Sequence, residues 1–92
     1  MRNKTSSSHQ YFVYVLKSLK DKKLYFGHTK NLDSRLKQHN AGKVLSTKFR
    51  RPFKLIGFKE YESRNEARWI EYEIKHHSDK KKKFLKDISV LT

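Results

Sequence analysis

From Tyr11 to Leu16, in the run QYFVYVLKS (Gln10 to Ser18), apolar or aromatic side chains stand at both odd and even positions. Aromatic and β-branched residues favour a strand, and apolar residues on both faces predict a central strand covered on each side. KSLKDKK then turns polar apart from Leu19, and Asp21 is a turn former. LYFGH (Leu24 to His28) resumes the strand pattern and closes a β-hairpin. If Ser18 to Asp21 form a four-residue loop, Tyr14 stands opposite Tyr25 on one sheet face. A different loop shifts that register.

The pattern changes period in NLDSRLKQHNAG. Asn31 suits an N-cap, Asp33 the first turn and Gly42 the C-terminal stop of a helix. Leu32 and Leu36, four apart, make a narrow core-facing stripe. Arg35 and His39, also four apart, share a face beside it. AGKVLSTKFRRP is a basic loop ended by Pro52, and FKLIGFKEYE is a third strand with apolar Phe53, Leu55, Ile56 and Phe58. SRNE (Ser63 to Glu66) is a capping box that opens a helix through about His77. Ala67, Ile70 and Ile74 form its buried stripe, Glu71 sits at the edge of that stripe, and Trp69 and Tyr72 are expected to pack against the sheet or the last helix. SDKKKKFLKDI predicts a further short helix capped by Ser78 or Asp79.

The order is β-β-α-β-α-α: an α+β fold, a small three-stranded antiparallel sheet flanked by helices. Residues 10–88 are expected to form a single domain, after a flexible polar lead-in over 1–9 and before a short tail over 89–92.

Charge then narrows the function. Lys and Arg number 23 against 9 acids, a net +14, which predicts attraction to a polyanion, above all the nucleic-acid backbone. An anionic membrane surface fits less well, because no long amphipathic apolar stripe accompanies the lysines. The absence of cysteine excludes disulfides and thiolate metal sites. No apolar run approaches the roughly eighteen residues of a membrane span, and no signal-peptide core is present, so a cytoplasmic setting is expected.

Each candidate for chemistry has a plainer alternative. Tyr14 and Tyr25 could be sheet packing, or a pair of phenols that face a phosphate and position or deprotonate water. Arg35 and His39 could be a solvated basic face. Alternatively the guanidinium grips a phosphate at two points while the imidazole moves protons. Glu71 could merely pair with Lys75 at i,i+4, or hold Mg²⁺, which often takes one or two carboxylates plus water and phosphate. His76 and His77, adjacent on a helix, diverge by about 100° and cannot grip one metal together. The run Lys80 to Lys83 adds backbone electrostatics. No Gly-rich phosphate loop, zinc-ligand spacing or Ser-His-Asp arrangement is visible.

FVY (Phe12 to Tyr14), YFG (Tyr25 to Gly27), RLKQH (Arg35 to His39) and EYEIK (Glu71 to Lys75) together resemble the GIY-YIG nuclease domain, from about Tyr11 to Leu85. The HNAGK after the first helix and the RRP before the third strand look like the small stand-alone bacterial members. The resemblance implies a Mg²⁺- or Mn²⁺-dependent endonuclease that hydrolyses phosphodiester bonds in DNA, with RNA left open. It implies low intrinsic sequence specificity, no small-molecule cofactor and a setting compatible with DNA repair or recombination. By position, Tyr14 and Tyr25 would be the tyrosines of its two motifs, one helping to activate water. Arg35 would hold the scissile phosphate, Glu71 the metal, and His39 would support or transfer protons. His28, Lys30, Lys37, Lys43, Lys48, Arg50, Arg51 and Lys75 are the candidate nucleic-acid contacts. Phe12 stands where the first motif has glycine, and no asparagine follows Glu71. That second departure keeps a rival open: a nucleic-acid-binding module with little or no catalysis on the same fold.

Overall fold

The computed structural model describes residues 10–88, so the expectations for 1–9 and 89–92 lie outside the described residues. Strands β1 (Tyr11–Ser18), β2 (Leu24–Thr29) and β3 (Phe53–Tyr61) form an antiparallel sheet in the order β2-β1-β3. Helix α1 (Leu32–Asn40) lies between β2 and β3 in sequence, and helices α2 (Arg64–His76) and α3 (Ser78–Ile88) follow β3. The α+β order and the central place of β1 are as the residue pattern predicts.

Side chains alternate across β1 and divide the core in two. Val13 and Val15 face α2 and α3, where they join Phe26, Ala67, Ile74, Phe84 and Ile88. Tyr14 and Leu16 face the other way, toward Phe53, with Leu32 and Leu36 of α1 packed beside them. β3 carries a bulge opposite Val15 and Leu16, where Gly57 pairs with Val15 but Leu55 pairs with Leu16. The extra residue, Ile56, resets the alternation, so Phe53, Leu55 and Phe58 all reach the Tyr14 side while Ile56 packs on the other.

The hairpin register corrects the four-residue loop. Tyr14 pairs with Gly27, and Tyr25 pairs with Leu16. The chain turns over residues 19–23, with Lys22 in the left-handed region at φ 66°. Ser18 Oγ accepts from the amides of Lys20 and Asp21, which holds the longer turn open. A shift of two residues keeps side chains on their faces, so both tyrosines remain on one side of the sheet.

Asn31 caps α1 by accepting from the Ser34 amide, and Ser63 caps α2 by accepting from Glu66. α2 ends at His76, and α3 begins at Ser78, which therefore lies inside its first turn rather than capping it. Trp69 and Tyr72 do not pack on the sheet: they are 58% and 49% exposed. The buried stripe of α2 is already complete with Ala67, Ile70 and Ile74, and the helix period turns 69 and 72 outward.

The basic loop is pinned at both ends. Asn40 donates to the Phe53 carbonyl at 3.2 Å and accepts from the Phe53 amide at 2.6 Å. Arg50 pairs with Asp21 at 2.7 Å, fastening the loop to the hairpin turn. Asn40→Ala should therefore lower stability by about 1–3 kcal/mol, because it strands a backbone donor and acceptor at the base of the loop. Urea denaturation measures this, and an unchanged midpoint would show the clamp to be dispensable.

Candidate active site

Tyr14, 2% exposed, and His39, fully buried, meet across the sheet–α1 boundary. The Tyr14 hydroxyl lies 2.9 Å from His39 Nε2, and His39 Nδ1 lies 2.8 Å from Thr47 Oγ1. Thr47 directs its hydroxyl to the Val44 carbonyl. It therefore accepts from Nδ1–H, and Nε2 accepts the Tyr14 proton, a tautomer inferred from the network. Burial first, then the Arg35 charge, lowers His39 from 6.5 to about 4, so the ring is neutral at pH 7. Burial is also the main reason that Tyr14 is pushed up to about 12, despite the opposing pull of the nearby Arg35 guanidinium. The exposed-basic-face alternative thus fails for His39: the residue is an interior hydrogen-bond partner.

Gly27 makes room for this arrangement. It lies opposite Tyr14, whose ring crosses it, and a Cβ there would stand 2.5 Å from the phenol oxygen. Tyr25 stacks edge-on to His39 at 5.1 Å, with its centroid 6.5 Å from that of Tyr14. Arg35, at the mouth, donates to Gln38 Oε1 at 2.9 Å, and its charge reaches both Tyr14 and His39.

Glu71 comes from the opposite face of the sheet. His28 points to that face from β2 and donates from Nδ1 to Glu71 Oε1 at 2.5 Å. Lys75 Nζ lies 2.6 Å from Glu71 Oε2 and 5.6 Å from the centre of the Tyr25 ring. Lys75 therefore reaches round the edge strand β2 and ties the carboxylate to the phenol side. Burial would raise the Glu71 pKa, but the hydrogen bonds from Lys75 and His28 outweigh it and hold the carboxyl below its ordinary value. The i,i+4 pair with Lys75 is present, and the carboxylate is also within electrostatic reach of Tyr14.

Could Glu71 hold a metal? Among the described residues no group of three or more His, Cys, Asp or Glu side chains converges. A site here would be of the one-carboxylate kind, completed by water and substrate phosphate. Glu71 is ionised, 18% exposed, and already surrounded by cationic or N–H donors on both oxygens. The donor set fits a hard divalent ion, provided that Lys75 and His28 give way.

A groove of about 320 Å³ runs past Arg35, His28, Lys30 and Arg64, and a second, of about 560 Å³, past His28, Glu71, Arg68 and Lys75. His28 lines both. Of the predicted basic contacts, Lys30, Lys43 and Arg51 are exposed, while Lys37 pairs with Asp33 at 3.2 Å. Lys48 lies over the Phe49 ring, and Arg50 is tied to Asp21. The sequence pattern did not reveal Thr47, whose role depends on where the basic loop folds back. Nor did it reveal Lys75 as the link round β2. The spacing that made Lys75 a partner of Glu71 was the only local signal.

A three-stranded α+β domain with a buried Tyr–His pair, an arginine at its mouth and one carboxylate across an edge strand is the class so defined. The GIY-YIG catalytic domain matches residues 10–84, and the chain belongs to that family, which is a nuclease family with nucleic acid as its substrate class. The chain is 43% identical over 74 residues to UPF0213 protein SH2523 of Staphylococcus haemolyticus, covering 79% of this chain and 89% of that protein. It is 41% identical over 75 residues to UPF0213 protein YsiG of Lactococcus lactis, covering 80% and 71%. The solution NMR structure of UPF0213 protein BH0048 from Bacillus halodurans is similar with a TM-score of 0.50 at 39% identity, over 85% of this chain and 83% of that one. Among the described residues, no helix is long and apolar enough to cross a membrane.

Two outcomes follow from the buried pair. The unfolded chain protonates His39 near 6.5 and the native state only near 4. Stability present above the unfolded value is thus lost as pH falls, by about 2 kcal/mol at pH ~5. Urea midpoints at neutral pH and at pH ~5 measure it, and His39→Gln should flatten the difference. Gly27→Ala should cost about 1–3 kcal/mol, because the added Cβ would meet the buried Tyr14 ring, 2.5 Å from its hydroxyl oxygen and 2.7 Å from the adjoining ring carbon, and the ring must shift. Thermal melts check this, and the loss should shrink when Tyr14→Phe is added.

Proposed function

We propose that the chain is a metal-dependent endonuclease that hydrolyses phosphodiester bonds in DNA with low intrinsic sequence specificity. The observation that carries this reading is the Tyr14 phenol held 2.9 Å from a neutral His39, with the Arg35 guanidinium near enough to act electrostatically on both. Arg35 would grip the scissile phosphate and neutralise charge that builds on it in the transition state. A water beside Tyr14 would give its proton to the phenol oxygen as the phenol proton passes to His39 Nε2. The Arg35 charge is one cause of His39's weak basicity, so a bound phosphate anion would relieve it and make the acceptor stronger. Glu71 would hold a Mg²⁺ or Mn²⁺ ion, which when bound supplies Lewis-acid polarisation of the phosphate and leaving oxygen. Tyr14 is favoured over Tyr25 as the proton acceptor, because its hydroxyl lies 2.9 Å from His39 Nε2, whereas Tyr25 meets the imidazole through its ring, edge-on at 5.1 Å. Lysines around the grooves would add salt-dependent, sequence-independent affinity.

A second reading, a binding module without cleavage, is favoured by one specific observation. Both Glu71 oxygens are engaged, by Lys75 and His28. Lys75→Ala separates the two, since freeing the carboxylate alters metal-dependent cutting only if cutting occurs.

Purified protein should nick plasmid DNA with Mg²⁺ or Mn²⁺. Arg35→Ala, Tyr14→Phe and Glu71→Ala should each lower the rate by about 10²–10³-fold, the scale of losing a transition-state contact. Filter binding should show DNA affinity changed by only a few fold in Glu71→Ala. A wild-type protein that cuts no form of DNA with either ion would sink the endonuclease reading.

A further inference from the structure

Helix α2 has a second side that the site does not use. Opposite its buried stripe stand Trp69, Tyr72 and His76, at spacings of three and four that a helix sets in one row. The Trp69 and Tyr72 rings lie within 16° of parallel with centroids 5.5 Å apart. Tyr72 and His76 lie within 28° at 4.2 Å. More than half of Trp69 and about half of Tyr72 remain in contact with solvent. Two large rings left outside a small core contribute little to folding, and an exposed apolar patch of this kind marks an interaction surface.

The row forms one wall of the 560 Å³ groove, and Arg68 and Lys75 stand with it there beside Glu71. That groove meets the Arg35 groove at His28. A strand lying against the row would therefore run directly into the candidate phosphodiester site.

We propose that the Trp69–Tyr72–His76 row is a base-stacking surface that receives an unpaired strand of nucleic acid next to the candidate site. The proposal rests on the nuclease reading for its substrate class and sharpens it to DNA with a single-stranded portion. Every base has a π-face that can extend the stack from Trp69, which makes such contacts tolerant of sequence. A duplex keeps those faces inside its own stack and presents phosphates and base edges instead. Arg68 and Lys75 match the phosphates between stacked bases, as does the +14 charge of the chain. Those flanking cations favour a nucleic acid over an apolar protein segment as the occupant.

Trp69 is the sole tryptophan, so its emission reports the surface directly. Titration with oligo-dT at fixed salt should quench that emission. Trp69→Ala and Tyr72→Ala should each weaken oligo-dT binding by roughly tenfold or more, read by anisotropy of a labelled strand. Affinity for a blunt duplex of the same length should change less than about threefold. Circular dichroism should show both variants folded, because the removed rings are exposed.

Absent quenching, or equal losses on single strand and duplex, overturns the proposal. So does a Trp69→Ala change in sedimentation with oligo-dT affinity intact, which would assign the face to protein association. Quenching with no cleavage of any DNA would instead leave the stacking surface standing and defeat the nuclease reading.

Discussion

The Tyr14–His39 hydrogen bond holds together the parts on which the rest of the molecule depends. It joins the central strand to α1, and through Thr47 it joins both to the basic loop. Tyr14 is 2% exposed and His39 fully buried, so the pair is made inside the protein, where a donor or acceptor left unmade costs about 1–3 kcal/mol. The same burial keeps the imidazole neutral and the phenol protonated. A glycine must stand across from the phenol, and Phe53 must close against the imidazole at 5.8 Å. Packing and proton chemistry therefore have one cause.

The edge position of β2 is the second constraint. Its alternation sends Tyr25 and Gly27 to the α1 side but Phe26 and His28 to the α2 side. A site that uses both faces can close only round a strand with no neighbour beyond it. β2 is that strand, and Lys75 spans the turn. In a chain of +14 the half-buried Glu71 stays ionised because cations and N–H donors crowd it, not because it is exposed. α2 thus serves three purposes by helical period alone. One stripe packs the sheet, one edge presents the carboxylate, and the outer row carries stacked aromatics.

The β-β-α-β-α-α order, the two caps at Asn31 and Ser63 and the central place of β1 were all legible from residue pattern, since each depends on contacts a few residues apart. Arg35, His39 and Glu71 were legible as candidates from spacing on their helices. Three local inferences missed. The hairpin loop closed two residues further on, because Ser18 Oγ and a left-handed Lys22 stabilise a longer turn that hydropathy does not encode. Trp69 and Tyr72 faced outward, because hydrophobicity names residues that can be buried while the helix period decides which are. Ser78 began a helix rather than capping it.

By itself, then, the chain determined its elements, its polyanion-seeking charge and the residue types that chemistry would need. These follow from short-range periodicity and composition. Only the tertiary structure decided that His39 is an interior partner of Tyr14 rather than a surface base, that Thr47 sets its tautomer, and that Lys75 links Glu71 to the Tyr25 ring round β2. Those contacts join residues eight to fifty apart in sequence, and desolvation, which sets the protonation of Tyr14 and His39, exists only once the sheet, α1 and the loop have closed over them.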